Sequence, residues 1–268
     1  DYTKAIELNP KDARAYSNRG TAKDNLQDYR GAIADYTKAI ELNPKFADAY
    51  YNRGVTKDDL KDYRGAISDF TKTIELNPKY AEAYYNRGVT KNSLEDYTGG
   101  INDYNKAIEL NPKDAKAYYN RGLAKGILED YTGAIDDFTI AIEINTNYAS
   151  SYSNRGVAKK NLNDYRGAIE DYNKAIELNP KDYKAYYNRG LAKGILENYK
   201  GAIDDFTKAI ELNPKFAEAY TNRGIAKDEL EDYRGAIADY TKAIELNPKY
   251  ANAYYNRGYA KGELEDFR

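Results

Sequence analysis

The chain contains no cysteine, no histidine, no methionine and no tryptophan. Each absence removes a class of chemistry or a landmark. Without cysteine there is no disulfide and no thiolate metal site. Without histidine, the commonest general base and the commonest metal ligand are both missing. Without methionine there is no initiator, so the chain reads as a piece of a longer protein. Charge of one sign is lacking too. Lys+Arg number 41 against 43 Asp+Glu, a net charge of -2. No long-range field therefore draws the chain onto nucleic acid or an anionic membrane. No apolar run is long enough to span a bilayer, which argues against membrane insertion. A cysteine-free chain tolerates oxidising and reducing surroundings alike, and the compartment stays open.

What is present is a period. The prolines stand at Pro10, Pro44, Pro78, Pro112, Pro180, Pro214 and Pro248, each step being 34 residues or, where Thr146 takes the missing place, 68. Asn-Arg-Gly recurs on the same lattice, from Asn18 to Asn256. Numbering slots 1 to 34 from Ala13 gives full units 13–46, 47–80, 81–114, 115–148, 149–182, 183–216 and 217–250. Residues 1–12 are the tail of a unit and 251–268 the front half of another, so the expectation is one array over 1–268.

Each unit reads as two helices. Ala47 to Leu60 has apolar and small residues at spacings of three and four, which is a helix period. A short turn around Lys61 to Tyr63 follows, and a second helix runs from Arg64 to Leu76. Asn77-Pro78 ends it, because proline has no N–H to give and disfavours helix in the residue before it. One such hairpin cannot bury its apolar stripe alone, whereas stacked neighbours share a continuous core.

The pattern resembles the tetratricopeptide repeat over the whole chain. That family's 34-residue helix–turn–helix has aromatic and small residues at fixed offsets. Here slot 4 is Tyr, as in Tyr16, Tyr50 and Tyr84; slot 8 is Gly, as in Gly54; slot 20 is Ala, as in Ala66, except at Gly100. Slot 24 is Tyr or Phe, as in Tyr36 and Phe70, and slot 27 is Ala, as in Ala39, except at Thr73. The RNA-reading pentatricopeptide relatives have a 35-residue unit, which this period does not match. The resemblance implies an all-α, right-handed superhelix of about 16 helices. Slots 8, 20 and 24 are expected to be packing positions, with small residues admitting close helices and aromatics filling the space beside them.

Two departures from the family pattern coincide. Slot 7 is always Arg where the family has Leu, as in Arg19, Arg53 and Arg87, and slot 11 is always Lys where it has Tyr, as in Lys23, Lys57 and Lys91. These slots lie one turn apart on one helix face. Slot 23, on the second helix, is always Asp, as in Asp35, Asp69 and Asp103. The expectation is an ion pair between slot 7 Arg and slot 23 Asp, within a unit or with the preceding one. The alternative is an anion-binding groove lined by Arg and Lys.

The resemblance also implies that the first helices line an inner groove, with slots 2, 5, 6, 9, 12 and 13 facing it. Slot 6 is Asn throughout: Asn18, Asn52, Asn86, Asn120, Asn154, Asn188, Asn222 and Asn256. Asparagine is a mediocre helix former, and its amide matches the donor and acceptor of a peptide bond. A regular row can grip the main chain of an extended segment. It is similar to the asparagine ladder of O-linked N-acetylglucosamine transferase, although no transferase domain is present. Bridging between neighbouring helices, or simple copying by duplication, is the alternative. Slot 5 varies between Tyr (Tyr51, Tyr85, Tyr119, Tyr187, Tyr255) and small hydroxyls (Ser17, Ser153, Thr221), and its tyrosines are expected to supply contact area. Leu123 with Gly126 and Ile127, and Leu191 with Gly194 and Ile195, read as two hydrophobic anchoring pockets or as tighter contacts between first helices.

These features favour a scaffold that binds a protein or peptide, with no cofactor, no metal and no nucleic acid. Catalysis is not expected: carboxylates, lysines and tyrosines remain, but they recur in every unit, whereas an active site is singular. The half units at the two ends are complementary, and head-to-tail self-association into a structural spacer is the competing function.

Overall fold

The computed structural model describes residues 1–266, all helix and turn. In chain order the helices are α1 (Tyr2–Leu8), α2 (Ala13–Asn25), α3 (Tyr29–Leu42), α4 (Ala47–Asp59), α5 (Tyr63–Leu76), α6 (Ala81–Ser93), α7 (Tyr97–Leu110) and α8 (Ala115–Ile127). They continue as α9 (Tyr131–Ile144), α10 (Ala149–Asn161), α11 (Tyr165–Leu178), α12 (Tyr183–Ile195), α13 (Tyr199–Leu212), α14 (Ala217–Asp228), α15 (Tyr233–Leu246) and α16 (Ala251–Asp266). The helices from α1 to α8 form one compact unit, Asp1–Asp130, and those from α9 onward a second, beginning at Tyr131. The second helix of each repeat starts one residue earlier than its sequence pattern predicts, at Tyr63 rather than Arg64.

That earlier start has a local cause. Asp62 is an N-cap whose carboxylate accepts from the Gly65 N–H at 3.1 Å, and Asp28, Asp96, Asp164 and Asp232 do the same for α3, α7, α11 and α15. The residue before each cap adopts a left-handed conformation without being glycine; Lys61 has φ 61° and Gln27 has φ 63°. At the other end, the Asn of the Asn-Pro corner folds its side chain back. Asn43 Oδ1 accepts from the Lys45 N–H at 3.1 Å, an Asx turn. Asn145 makes the same bond to the Asn147 N–H at 3.1 Å, which explains how Thr146 replaces proline without loss of the corner.

The core is alanine plus one ring per repeat. On α3, Ala32, Asp35, Tyr36 and Ala39 are buried, one face of a 3.6-residue period. A Cβ added at Gly20 would lie 2.8 Å from the Tyr36 ring, and one at Gly54 would lie 2.8 Å from the Phe70 ring. The glycine is therefore where the aromatic of the second helix presses onto the first.

In the first unit α2, α4, α6 and α8 touch in succession, and in the second α10, α12, α14 and α16 do so. Within each unit successive second helices do not meet, among the described residues. Within each unit the first helices thus crowd together on one wall and the second helices splay apart on the other.

Candidate functional site

The slot 7 arginines are held internally. Arg19 Nε donates to Asp35 Oδ2 at 2.8 Å and its Nη2 to Asp35 Oδ1 at 2.7 Å, a bidentate fork. Arg53–Asp69, Arg87–Asp103, Arg155–Asp171, Arg189–Asp205 and Arg223–Asp239 repeat it, with Nη2 to Oδ1 distances of 2.5–2.7 Å. The pairs form within a repeat, from first helix to second. The slot 11 lysine joins the same carboxylate: Lys23 reaches Asp35 at 2.8 Å and Lys57 reaches Asp69 at 2.7 Å. The third guanidinium arm crosses to the repeat before. Arg53 Nη1 donates to Thr37 Oγ1 and Arg87 Nη1 to Thr71 Oγ1, both at 3.0 Å. Each guanidinium also sits over its slot 4 tyrosine, as Arg53 does over Tyr50 with 5.6 Å to the centroid. Burial pushes the Asp35 carboxyl up, but the hydrogen bonds and charges of Arg19 and Lys23 outweigh it and hold the group below its ordinary range. Its bond to Asp35 in turn raises Arg19. In these repeats both cations are neutralised by the slot 23 aspartate rather than left to line an anion-binding groove.

The asparagine row lies half-buried on the first-helix wall from Asn52 onward, with Asn18 more exposed. Its donors are partly engaged. Asn86 Nδ2 donates to the Tyr51 hydroxyl and Asn120 Nδ2 to the Tyr85 hydroxyl, both at 2.8 Å, and Asn222 Nδ2 donates to the Tyr187 hydroxyl at 3.1 Å. Asn154 Nδ2 bonds the Ser150 carbonyl at 2.9 Å. The acceptor oxygens of Asn86, Asn120 and Asn222 take no hydrogen bond among the described residues. At Asn86, Asn120 and Asn222 the row thus bridges adjacent repeats through its amide nitrogens.

Of the slot 5 tyrosines expected to offer contact area, Tyr51, Tyr85 and Tyr187 lie half-buried in the seam between repeats. Tyr51 stacks on Tyr80 with centroids 4.8 Å apart, and Tyr187 packs on Phe216 at 4.7 Å and Phe206 at 5.8 Å. Burial pushes the Tyr187 hydroxyl up to about 12, so it remains protonated. Tyr255, on α16, is 77% exposed.

At Gly194 the second unit opens a pocket of about 240 Å³. Phe206 and Ala226 sit among its lining, with Leu191, Ile195, Tyr199 and Ile225 around it and Asn222 and Glu229 adding polar groups. The missing side chain at Gly194 makes the room. Ile195 is 53% exposed and Ile127, its counterpart on α8, is 56% exposed. Leu123 on α8 is half-buried. Sequence reasoning picked Leu191 and Ile195 and missed Tyr199, Ile225 and Lys160. Lys160 stands in slot 12, which otherwise holds Asp, Asn or Gly, and that oddity was the available signal. Charge along the wall is uneven. Asp48, Asp58, Asp59 and Glu82 lie on the α4 and α6 stretch, and Asp59 is raised by burial and by the Asp24 and Asp58 charges. In the second unit α10 and α12 carry no carboxylate, while α14 carries Glu218 and Asp228.

No cluster of metal-binding side chains and no helix long and apolar enough to cross a membrane occurs among the described residues. No curated protein sequence matches the chain. Among solved structures, the chain is similar to YrrB, described as a TPR protein with an unusual peptide-binding site, at 27% identity and a TM-score of 0.62; the match covers 70% of this chain and 97% of YrrB. It is similar to MamA at 30% identity and a TM-score of 0.60, covering 64% of this chain and 94% of MamA. A tetratricopeptide repeat protein from Parabacteroides merdae shares the fold at 20% identity and a TM-score of 0.67, covering 93% of this chain and 98% of its own. The tetratricopeptide repeat family's sequence profiles match residues 47–80, 149–182, 183–216 and 217–250, and further profiles of the same repeat match 1–34, 25–57, 90–126, 115–148 and 239–267. With the period, the helical hairpins and the profile matches in agreement, the chain belongs to the tetratricopeptide repeat family, whose fold generally serves protein–protein interaction.

Proposed function

We propose that the chain is a non-catalytic scaffold that holds an extended segment of another protein against its first-helix walls. The observation that carries this reading is the asparagine row. Asn86, Asn120 and Asn222 are each pinned by a tyrosine hydroxyl of the preceding repeat, with a carbonyl oxygen left over. A fixed acceptor at each of these three positions suits the N–H groups of a guest main chain, and pinning reduces the entropy lost on binding. The peptide-binding site named for YrrB supports the same reading. The uneven charge supports a guest with basic residues opposite α4 and α6.

The test uses a peptide selected for binding from a displayed random library. Replacing Asn86 and Asn120 by Ala is expected to weaken it about fivefold or more, since each lost hydrogen bond contributes roughly 0.5–1.5 kcal/mol. Circular dichroism should stay helical. Unchanged affinity in a folded double variant removes the asparagine row from the interface. The competing function, a self-associating spacer, is favoured by the exposed rings of Tyr255 and Tyr259 on α16. Its mark would be light scattering that grows with concentration and vanishes when both rings are removed.

A further inference from the structure

Slot 12 normally serves the interior. Tyr240 donates its hydroxyl to Asp228 in a short hydrogen bond, Asn92 Nδ2 donates to the Tyr104 hydroxyl at 3.1 Å, and Thr56 donates to Asp24 at 2.7 Å. Lys160 breaks this habit. The Tyr172 hydroxyl of its own repeat is buried and has no partner. Lys160 extends instead to the next repeat, where its Nζ meets Asn188 Oδ1 at 3.4 Å.

Two departures meet at this point. Ser153 stands where Tyr51, Tyr85 and Tyr187 stand in other repeats, so no tyrosine hydroxyl pins Asn188. Lys160 occupies the space, with no carboxylate within ion-pair distance among the described residues. Burial lowers its pKa, and the long contact to Asn188 supplies no counter-charge. A pocket of about 310 Å³ surrounds it, lined by Asn161, Asn163, Tyr165, Leu191 and Ile195. Leu191 and Ile195 also line the apolar pocket over Gly194, so the two pockets adjoin.

Building on the scaffold reading, we propose that Lys160 and Asn188 form a subsite for an acidic side chain of the bound segment, beside an apolar pocket for an aliphatic one. A carboxylate here receives a charge-assisted hydrogen bond from Nζ and a second donor from the Asn188 amide. The complementarity is electrostatic as well as geometric, because α10 and α12 contribute no carboxylate of their own. Both pockets lie along one wall with further first helices beyond, which suits a side chain within a segment rather than a chain end. In an extended guest, residues i and i+2 point the same way, so the motif is an acid, any residue, then an aliphatic.

The test uses the full chain with lysine side chains labelled for NMR, and the Lys160 signal identified by its loss in Lys160→Gln. The probe is the doubly capped peptide acetyl-Gly-Asp-Gly-Leu-Gly-amide, with versions carrying Asn for Asp and Gly for Leu. As a minimal pair, 4-methylpentanoate is compared with its amide. The expected result is that the Asp–Leu peptide and 4-methylpentanoate raise the Lys160 pKa, whereas the amide does not. Lys160→Gln and the Asn peptide should each lose about tenfold in affinity, and added salt should weaken the wild-type complex. Free of its guest, Lys160→Met should melt higher than the wild type, since the variant no longer buries an uncompensated charge. Equal binding of the Asp and Asn peptides overturns the subsite while leaving the scaffold intact. So does binding that requires an uncapped C-terminus. If no peptide binds, an unmoved Lys160 signal in 4-methylpentanoate overturns it as well. A responsive Lys160 beside an asparagine row that proves inert upholds the subsite and removes only the row.

Discussion

Asp69→Ala is expected to destabilise the protein by about 3 kcal/mol, the low end of the range for removing one partner of a buried pair. Asp69 is the common acceptor of Arg53 at 2.7 Å and Lys57 at 2.7 Å, and its side chain is 4% exposed. Its removal leaves two cations facing each other with no counter-charge. Both retain some access to water, which keeps the loss near the lower bound. Arg53→Ala should cost less, because Lys57 continues to neutralise the carboxylate, and Lys57→Ala less again. Urea denaturation of the three variants gives the order. Equal, near-zero effects would show that the triads contribute no stability. A pH dependence follows from the equivalent Asp35. Its folded pKa is lowered, so its ionised form contributes stability above the ordinary carboxylate pKa of about 4, and that contribution is lost as pH falls through the folded value. Wild type and Asp35→Asn should therefore differ at neutral pH and converge in acid.

Gly156→Ala is expected to destabilise by about 1–3 kcal/mol, although alanine is the better helix former by roughly 1 kcal/mol. The added methyl would lie 2.8 Å from the Tyr172 ring, and that ring is fully buried with no room to retreat. Gly258 occupies the same slot on α16, and a Cβ there meets nothing within 4 Å. Gly258→Ala should consequently be neutral or stabilising. The contrast separates packing from helix propensity within one repeated motif, and thermal melts of both variants measure it. Equal shifts of the same sign would mean that the aromatic does not press on the glycine.

Much of the fold could be read from spacing. Pro44, Gly54 and Ala66 recur where backbone chemistry and close packing demand them, and helix ends followed to within two residues. The Arg53–Asp69 pair was legible because two departures from one family pattern called for one compensation. The participation of Lys57 was not, since a long flexible side chain can end in several places from one helix position. The left-handed turn at Lys61 carries no glycine and left no mark. The packing of Tyr51 was not legible for a different reason. A helix face names a direction but not the neighbour standing there, and the ring proved to fill the seam against Tyr80. Lys160 stood out in slot 12, yet what it faces depends on Ser153 and Asn188, seven residues before it and 28 after it.

A guest segment held on the first helices must disturb them and spare the second helices. Backbone amide perturbation by a library-selected peptide, mapped by NMR on the labelled chain, tests this most directly. Changes are predicted on α4, α6, α10, α12 and α14, concentrated at Asn86, Asn120, Lys160, Asn188 and Leu191. Changes confined to α5, α7, α11 and α13, with those residues unmoved, would contradict it.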